Sequence, residues 1–278
     1  MTEPYPNMLQ NYRRMLDGDL DASLTEAVVI PDPIGVGAVG GSGTRLMATM
    51  LETAGVVGAS PLNRAGDAME WPPWDIFLSD EMLTRYPRDL LVNNLLYGFE
   101  RLLEFRRDRL GLSGRSSWKV PGTYFWLREL AGYFPKLQYI HLIRNGLDMA
   151  YSGNESQALG WASHLDVELE YTEAGKLTPG SKLEYWLRAN EHALALGEEL
   201  LGDRMLLVRY EDLCARPAET ARRVVDFLCI EVSSATLDEM IGLVKAPPSV
   251  GRYRRYKWRT HVTEGQLERL EKLGYIIE

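Results

Sequence analysis

Short β-branched apolar runs alternate along this chain with longer stretches whose apolar positions recur every three to four residues. The first strong run is AVVIPDPIGVGAVGG. Pro31 and Pro33 mark a turn inside it, so the strand is placed at Ile34–Val39, ending in glycines. The segment SGTRLMATMLETAG then sets Leu46, Met50 and Leu51 at helical spacing, and Gly55 stops it. Pro72-Pro73, in AGDAMEWPPWDIFL, forbid a continuing helix and predict a loop or short strand. Residues 89–110 read as a long amphipathic helix, Trp118–Val120 as a short strand, and Thr123–Tyr133 as a helix closed by Phe134-Pro135. Leu137–Ile143 is a buried-strand pattern, with a helix starting just beyond Arg144. A helix at 181–201, a strand at Met205–Tyr210 and a helix opened by Pro217 follow. Residues 1–30 read as a helical lead-in, polar over 6–22, and residues 155–180 as a candidate cap or insertion.

Strands alternating with helices imply parallel pairing through crossovers. The expected fold is α/β, a three-layer α/β/α sandwich with a central parallel sheet, as one domain over residues 1–278. At 45% hydrophobic residues the chain can build its core without a disulfide or metal staple. Cys214 and Cys229 are too few for a disulfide framework or a four-cysteine metal site, and no metal is expected. The first twenty residues carry no apolar signal-peptide core, and no run reaches the ~18 apolar residues of a membrane span. The expectation is a cytoplasmic protein with no membrane partner. The net charge of −8 excludes a broad nucleic-acid binder and leaves room for a local basic pocket. Oligomeric state is left open.

The chemistry gathers at strand ends. Gly40-Gly41-Ser42-Gly43-Thr44-Arg45 lies between a strand and a helix, where backbone amides face an anion and Arg45 adds a guanidinium. It is not a Walker A loop, because it holds no lysine, and the strand YIHLI ends in Arg144 rather than a magnesium-binding Asp. Gly35 to Gly40 fit the letters GxGxxG, but they sit in the strand before the turn. Arg144 closes its strand at the edge where open α/β sheets bind ligands, and Ser152, eight residues on, falls on the same side of a helix. From Lys245 to Arg259, KAPPSVGRYRRYKWR holds six basic residues and no acid, interleaved with Tyr253, Tyr256 and Trp258. That combination suits a phosphate-bearing nucleotide with a base to stack; a solvated basic face is the plain alternative.

The segments GGSGTRLMATML, WKVPGTYF, FPKLQYIHLIRNGLDMAYS and LLVRYEDLCARPAETARRVVDFL resemble the sulfotransferases that use 3′-phosphoadenosine 5′-phosphosulfate, over about residues 34–258. The resemblance implies a P-loop-like sulfotransferase fold of the bacterial type. It implies that Gly41, Ser42, Gly43, Thr44 and Arg45 cradle the 5′-phosphosulfate, and that Arg144 and Ser152 bind the 3′-phosphate. Arg252 first, then Arg254, with Tyr253 between them, belong to a basic nucleotide-covering loop at 245–259. Lys119 matches the lysine that reaches the bridging oxygen. Many members carry Arg or Lys directly before Ser-Gly-Thr; here that position is Gly41, and Arg45 is the candidate for the missing charge.

For the base, a carboxylate after the first helix is expected, Asp67 first and Glu70 second, either of which also reads as a turn or cap residue. His141 reads as a core histidine. Asn63, Trp71, Gln157, Trp161 and His164 are candidates for the acceptor pocket, and Tyr210, Glu211 and Asp212 for a structural turn. The implied reaction is direct in-line sulfuryl transfer to a hydroxyl of a small or medium metabolite. The alternatives are a small-molecule kinase of the same fold and a non-catalytic member that binds a nucleotide or a partner.

Overall fold

A computed structural model describes residues 29–276 apart from 31 and 246; the lead-in expected at 6–22 lies outside the described residues. The order is β1 (Ile34–Ala38), α1 (Thr44–Thr53), α2 (Trp74–Phe77), α3 (Asp80–Leu83), α4 (Arg88–Arg109), β2 (Ser117–Lys119), α5 (Leu127–Tyr133), β3 (Gln138–Ile143), α6 (Gly146–Ala150) and α7 (Ser156–Trp161). Then come α8 (Pro179–Leu200), β4 (Met205–Arg209), α9 (Tyr210–Ala215), α10 (Pro217–Leu228), α11 (Ser234–Gly242) and α12 (Glu264–Lys272). Among the described residues the strands form one parallel sheet in the order β2-β1-β3-β4. The chain runs from β1 outward to β2, then returns to β3 on the other side of β1. The carboxyl ends of β1 and β3 therefore flank a topological switch point, where sheets of this kind open a ligand crevice.

Alternation along the strands separates the two faces. Ile34, Val36 and Ala38 of β1, with Ile140 and Leu142 of β3, pack under α1, α10 and α11. The opposite face carries Tyr139 and Ile143 and is covered by α4, α5 and α8. On that face β1 presents Gly35 and Gly37, and a side chain at Gly37 would collide with the Tyr139 hydroxyl. The strand glycines thus make room for a large neighbour rather than for a ligand. Tyr139 donates or accepts at His141 Nδ1 (2.9 Å), and His141 Nε2 meets Asn190 Oδ1 (3.0 Å), so His141 is a satisfied core histidine.

Three expectations change. The segment after Pro72-Pro73 makes two one-turn helices: Pro73 stands at the N-cap of α2, where no N–H is required, and α3 starts after Ser79. The helix expected at Thr123–Tyr133 begins as a 3₁₀ turn at Pro121 and becomes α-helical only from Leu127. The helix beyond Arg144 ends at Ala150, so Ser152 lies past its end rather than two turns along it. Residues 155–180 contain α7 and a 3₁₀ turn, held down by buried Ala158, Ala162, Leu165, Val167 and Leu177.

Candidate active site

The glycine turn after β1 is shaped by its neighbours. Gly41 and Gly43 adopt φ of 97° and 95°, a region that L side chains rarely enter. A Cβ at Gly43 would strike the Tyr210 ring, and one at Gly41 would lie 3.1 Å from Met149 Cε. Gly43 caps α1 without a side-chain hydrogen bond, and the first turn of α1 contains no acid. Its leading amides and the positive end of the helix are thus left for an anion. Ser42 Oγ donates to Val39 O (2.7 Å), which tightens the turn. The Gly40 amide donates to Gln157 Oε1 at 2.5 Å.

Arg144, at the end of β3, is buried against this turn. Its Nη1 donates to Gly41 O (3.2 Å) and its Nη2 to Ser249 Oγ (2.8 Å), while the guanidinium lies 4.9 Å from the Tyr210 ring centroid. Its Nε is buried with no hydrogen-bond partner among the described residues. Arg252 Nε donates to Ser249 O (3.3 Å), so one serine joins two cations. Burial, and next the charge of Arg144, hold the Arg252 pKa below its ordinary value. Two guanidiniums brought together, with an orphaned donor between a glycine turn and a basic loop, fit a phosphate-bearing ligand.

The basic loop is fixed by a residue that the motifs did not single out. Asp148 on α6 is 1% exposed, and its carboxylate accepts from Gly251 N (2.7 Å) and Tyr253 N (3.2 Å). Tyr253 is buried edge-on to Trp258, and the Arg254 guanidinium sits 5.3 Å from the Tyr253 ring centroid. Asn145 caps α6 through Oδ1, and its own amide donates to Glu211 Oε1 (2.9 Å). Burial raises the Glu211 pKa. The available signal was an acid four residues after Arg144 in an otherwise basic site. Ser152 Oγ accepts from Asn154 N (3.2 Å), and its carbonyl takes Lys182 Nζ (3.0 Å).

A second cluster closes the end of β2. Lys119 is 4% exposed, and its Nζ donates to Asp67 Oδ1 (2.5 Å) and Ala65 O (3.1 Å). Asp67 sits in a tight turn organised by Asn63, whose Oδ1 accepts from Ala65 N (2.8 Å) and Asp67 N (2.9 Å) and whose Nδ2 donates to Asp67 Oδ2 (3.2 Å). Asn63 thus holds the carboxylate in place; it does not line the cavity described next. Arg45 is exposed on α1 and lies beside Gly66 of the same turn. Glu70 is drawn elsewhere, into a buried ion pair with Arg106, which also donates to Ser117 O (3.1 Å). Burial raises the Glu70 pKa against the opposing pull of Arg106.

Beside Lys119, from Val120 and Gly122 outward, opens a cavity of about 630 Å³. Trp71, Trp74, Phe125, Trp126, Trp161 and His164 line it. Trp74 and Trp126 stack at 4.4 Å, and Trp161 meets Phe125 edge-on at 5.6 Å. Of the acceptor candidates, Trp71, Trp161 and His164 therefore line the cavity, while Gln157 turns to the glycine loop.

A model of the sulfotransferase family matches residues 33–234. The chain belongs to the sulfotransferase family. Three solved structures are similar to this sulfotransferase. The sulfotransferase domain of the Synechococcus PCC 7002 olefin synthase is 18% identical, covers 89% of this chain and 96% of its own, and has a TM-score of 0.55. The sulfotransferase domain from the curacin biosynthetic pathway is 15% identical, covers 89% and 99%, and also scores 0.55. Sulfotransferase STF9 from Mycobacterium avium is 14% identical, covers 98% and 81%, and scores 0.54. At these identities the likeness speaks to the fold: a parallel sheet between helix layers, with its crevice at the strands' carboxyl edge. Among the described residues no helix is long and apolar enough to cross a membrane.

Proposed function

We propose that this sulfotransferase moves a sulfuryl group from 3′-phosphoadenosine 5′-phosphosulfate to a hydroxyl of a small, apolar, ring-bearing metabolite by direct in-line transfer. The observation that carries the reading is the pairing of Arg144 and Arg252 through Ser249, next to an uncapped glycine turn. The Gly41–Arg45 turn would hold the 5′-phosphosulfate through its amides, and Arg144 with Arg252 would hold the 3′-phosphate. Lys119 would neutralise the bridging oxygen as it becomes the leaving phosphate, and Asp67, within hydrogen-bond reach of Lys119, would take the acceptor proton. The aromatic walls beside Val120 favour a flat, apolar acceptor body, since they offer ring faces and few polar partners.

Thermal stability measured with adenosine 3′,5′-bisphosphate and, separately, with ATP plus magnesium tests the donor. Occupancy at 100 times the dissociation constant adds about 2.7 kcal/mol. The bisphosphate is expected to stabilise the protein and ATP not to. Preference for ATP would point to a kinase and overturn the reading. Bisphosphate binding with no sulfated product across a panel of phenols and alicyclic alcohols would point to a non-catalytic binder.

A further inference from the structure

One short helix touches both halves of the site. On α7, Gln157 Oε1 accepts the Gly40 amide at the entrance to the glycine turn, and a Cβ at Gly40 would come within 2.6 Å of the same side-chain amide. Four residues on, the Trp161 indole lies against Gly122, where a Cβ would approach it to 2.8 Å. Residues four apart share a helix face, about 6 Å apart along the axis. One face of α7 therefore rests on the donor loop at one end and on the segment following Lys119 at the other, where Trp161 is a wall of the 630 Å³ cavity.

The helix is also held by the Trp161 edge on Phe125 and by Lys182, which pairs with its N-cap Glu155 (3.4 Å). It has six residues, no side-chain hydrogen bond at its N-cap, and Ala158 as its buried residue. Neither glycine contact leaves slack, because the side chains occupy the space where a Cβ would stand. A shift of Gly40 therefore displaces Gln157, and a shift of α7 displaces Trp161 over Gly122.

We propose that Gln157 is a positioning residue of the donor loop and that α7 relays the state of that loop to the acceptor cavity through Trp161. The inference rests on the nucleotide reading above. Occupation of the glycine turn by an anion repositions Gly40, and α7 carries the change to the cavity wall. Donor binding thereby alters the acceptor site before any acceptor arrives, and by linkage the acceptor alters donor affinity by the same factor.

The test needs no acceptor. Wild type, Gln157→Met and Trp161→Phe are titrated with adenosine 3′,5′-bisphosphate, following binding heat and tryptophan emission together. Wild type is expected to show both signals. Trp161→Phe should keep the heat and lose most of the emission change. Gln157→Met should bind about tenfold more weakly, as expected for one lost loop hydrogen bond, and show little emission change even at saturation. Gln157→Glu, which keeps an acceptor for the Gly40 amide, should restore the emission change at saturation. An emission change that survives in Trp161→Phe, or in saturated Gln157→Met, overturns the relay, as does heat without an emission change in wild type. Absence of heat in wild type overturns the nucleotide assignment itself and the relay with it.

Discussion

Replacing Asp148 with Ala pits two effects of opposite sign against each other. The carboxylate lies among the cations of the proposed donor site, so its removal makes the site more positive. A unit charge removed at roughly 10 Å from a phosphate, in a medium of effective dielectric about 20, is worth about 1.7 kcal/mol in favour of the anion. Against this, the same carboxylate accepts two amide hydrogen bonds, from Gly251 at 2.7 Å and Tyr253 at 3.2 Å. Hydrogen bonds to a charged partner contribute about 1.5–3 kcal/mol each, so roughly 3–6 kcal/mol of loop docking is lost. Docking is what holds Arg252 beside Arg144. The loss exceeds the electrostatic gain even at its low end, by about 1.3 kcal/mol, or roughly tenfold in affinity. The expected outcome is weaker binding of adenosine 3′,5′-bisphosphate by calorimetry, with faster amide exchange across 249–258. Tighter binding, or unchanged binding with the loop still protected, would refute the argument that Asp148 serves by anchoring the loop.

Lys119→Met and Asp67→Asn should lower kcat at least a hundredfold while changing bisphosphate affinity less than fivefold; rapid-quench turnover beside calorimetry checks this, and equal losses in both would make the pair a binding element. His141 is held at a pKa of about 4 by burial, below the 6.5 of an exposed histidine, so the unfolded state takes up the proton first as pH falls. Its contribution to stability is complete above pH 6.5 and declines toward pH 4, by about 2 kcal/mol between pH 7.5 and 5; urea melts should show this slope, and His141→Gln should remove it. Gly41→Lys should weaken bisphosphate binding despite its added charge, because φ of 97° and Met149 at 3.1 Å forbid a relaxed side chain there; tighter binding by calorimetry would contradict the steric account. Glu70→Gln leaves Arg106 buried without its counter-charge and should lower stability by about 3–5 kcal/mol in urea melts, with little effect on bisphosphate affinity.

The strands and the glycine turn were legible because their signals are local. Gln138–Ile143 is rich in strand formers, Ile34–Ala38 continues an apolar β-branched run, and each ends in residues that break the pattern. Lys119, Arg144 and the glycines could be picked out because strand ends in a parallel sheet face one crevice. What escaped was set by partners distant in sequence. Asp148 acts on amides 103 and 105 residues away, and Gln157 on an amide 117 residues away. Nothing local to GLDMA or SQALGW encodes those contacts. The Asn63 turn was hidden for a related reason: its amide closes a turn around Asp67, and turn chemistry and ligand chemistry use the same side chain. Ser152 fell outside its expected helix because α6 stops after five residues, at Ala150, just ahead of the Ser152-Gly153 turn signal.

The cations of this chain of net charge −8 divide by the partners they keep. Arg106 and Arg269 face carboxylates, of Glu70 in one case and of Glu184 and Glu191 in the other, and these pairs brace helices. Arg144 faces a carbonyl, a hydroxyl and an aromatic ring, and Arg252 a carbonyl. Because their hydrogen-bond partners are neutral, an incoming phosphate displaces no acid from either guanidinium, although Asp148 and Glu211 nearby temper the attraction. Lys119 is the contrasting case, since its ammonium already holds Asp67. In the proposed reaction a phosphosulfate oxygen must compete with Asp67 for Lys119, and each hydrogen bond that Lys119 gives to the donor loosens the carboxylate from its cation. Donor binding would thus free the Asp67 carboxylate to accept a hydrogen bond from the acceptor hydroxyl, and the order of binding would follow from the pairing of one lysine with one aspartate.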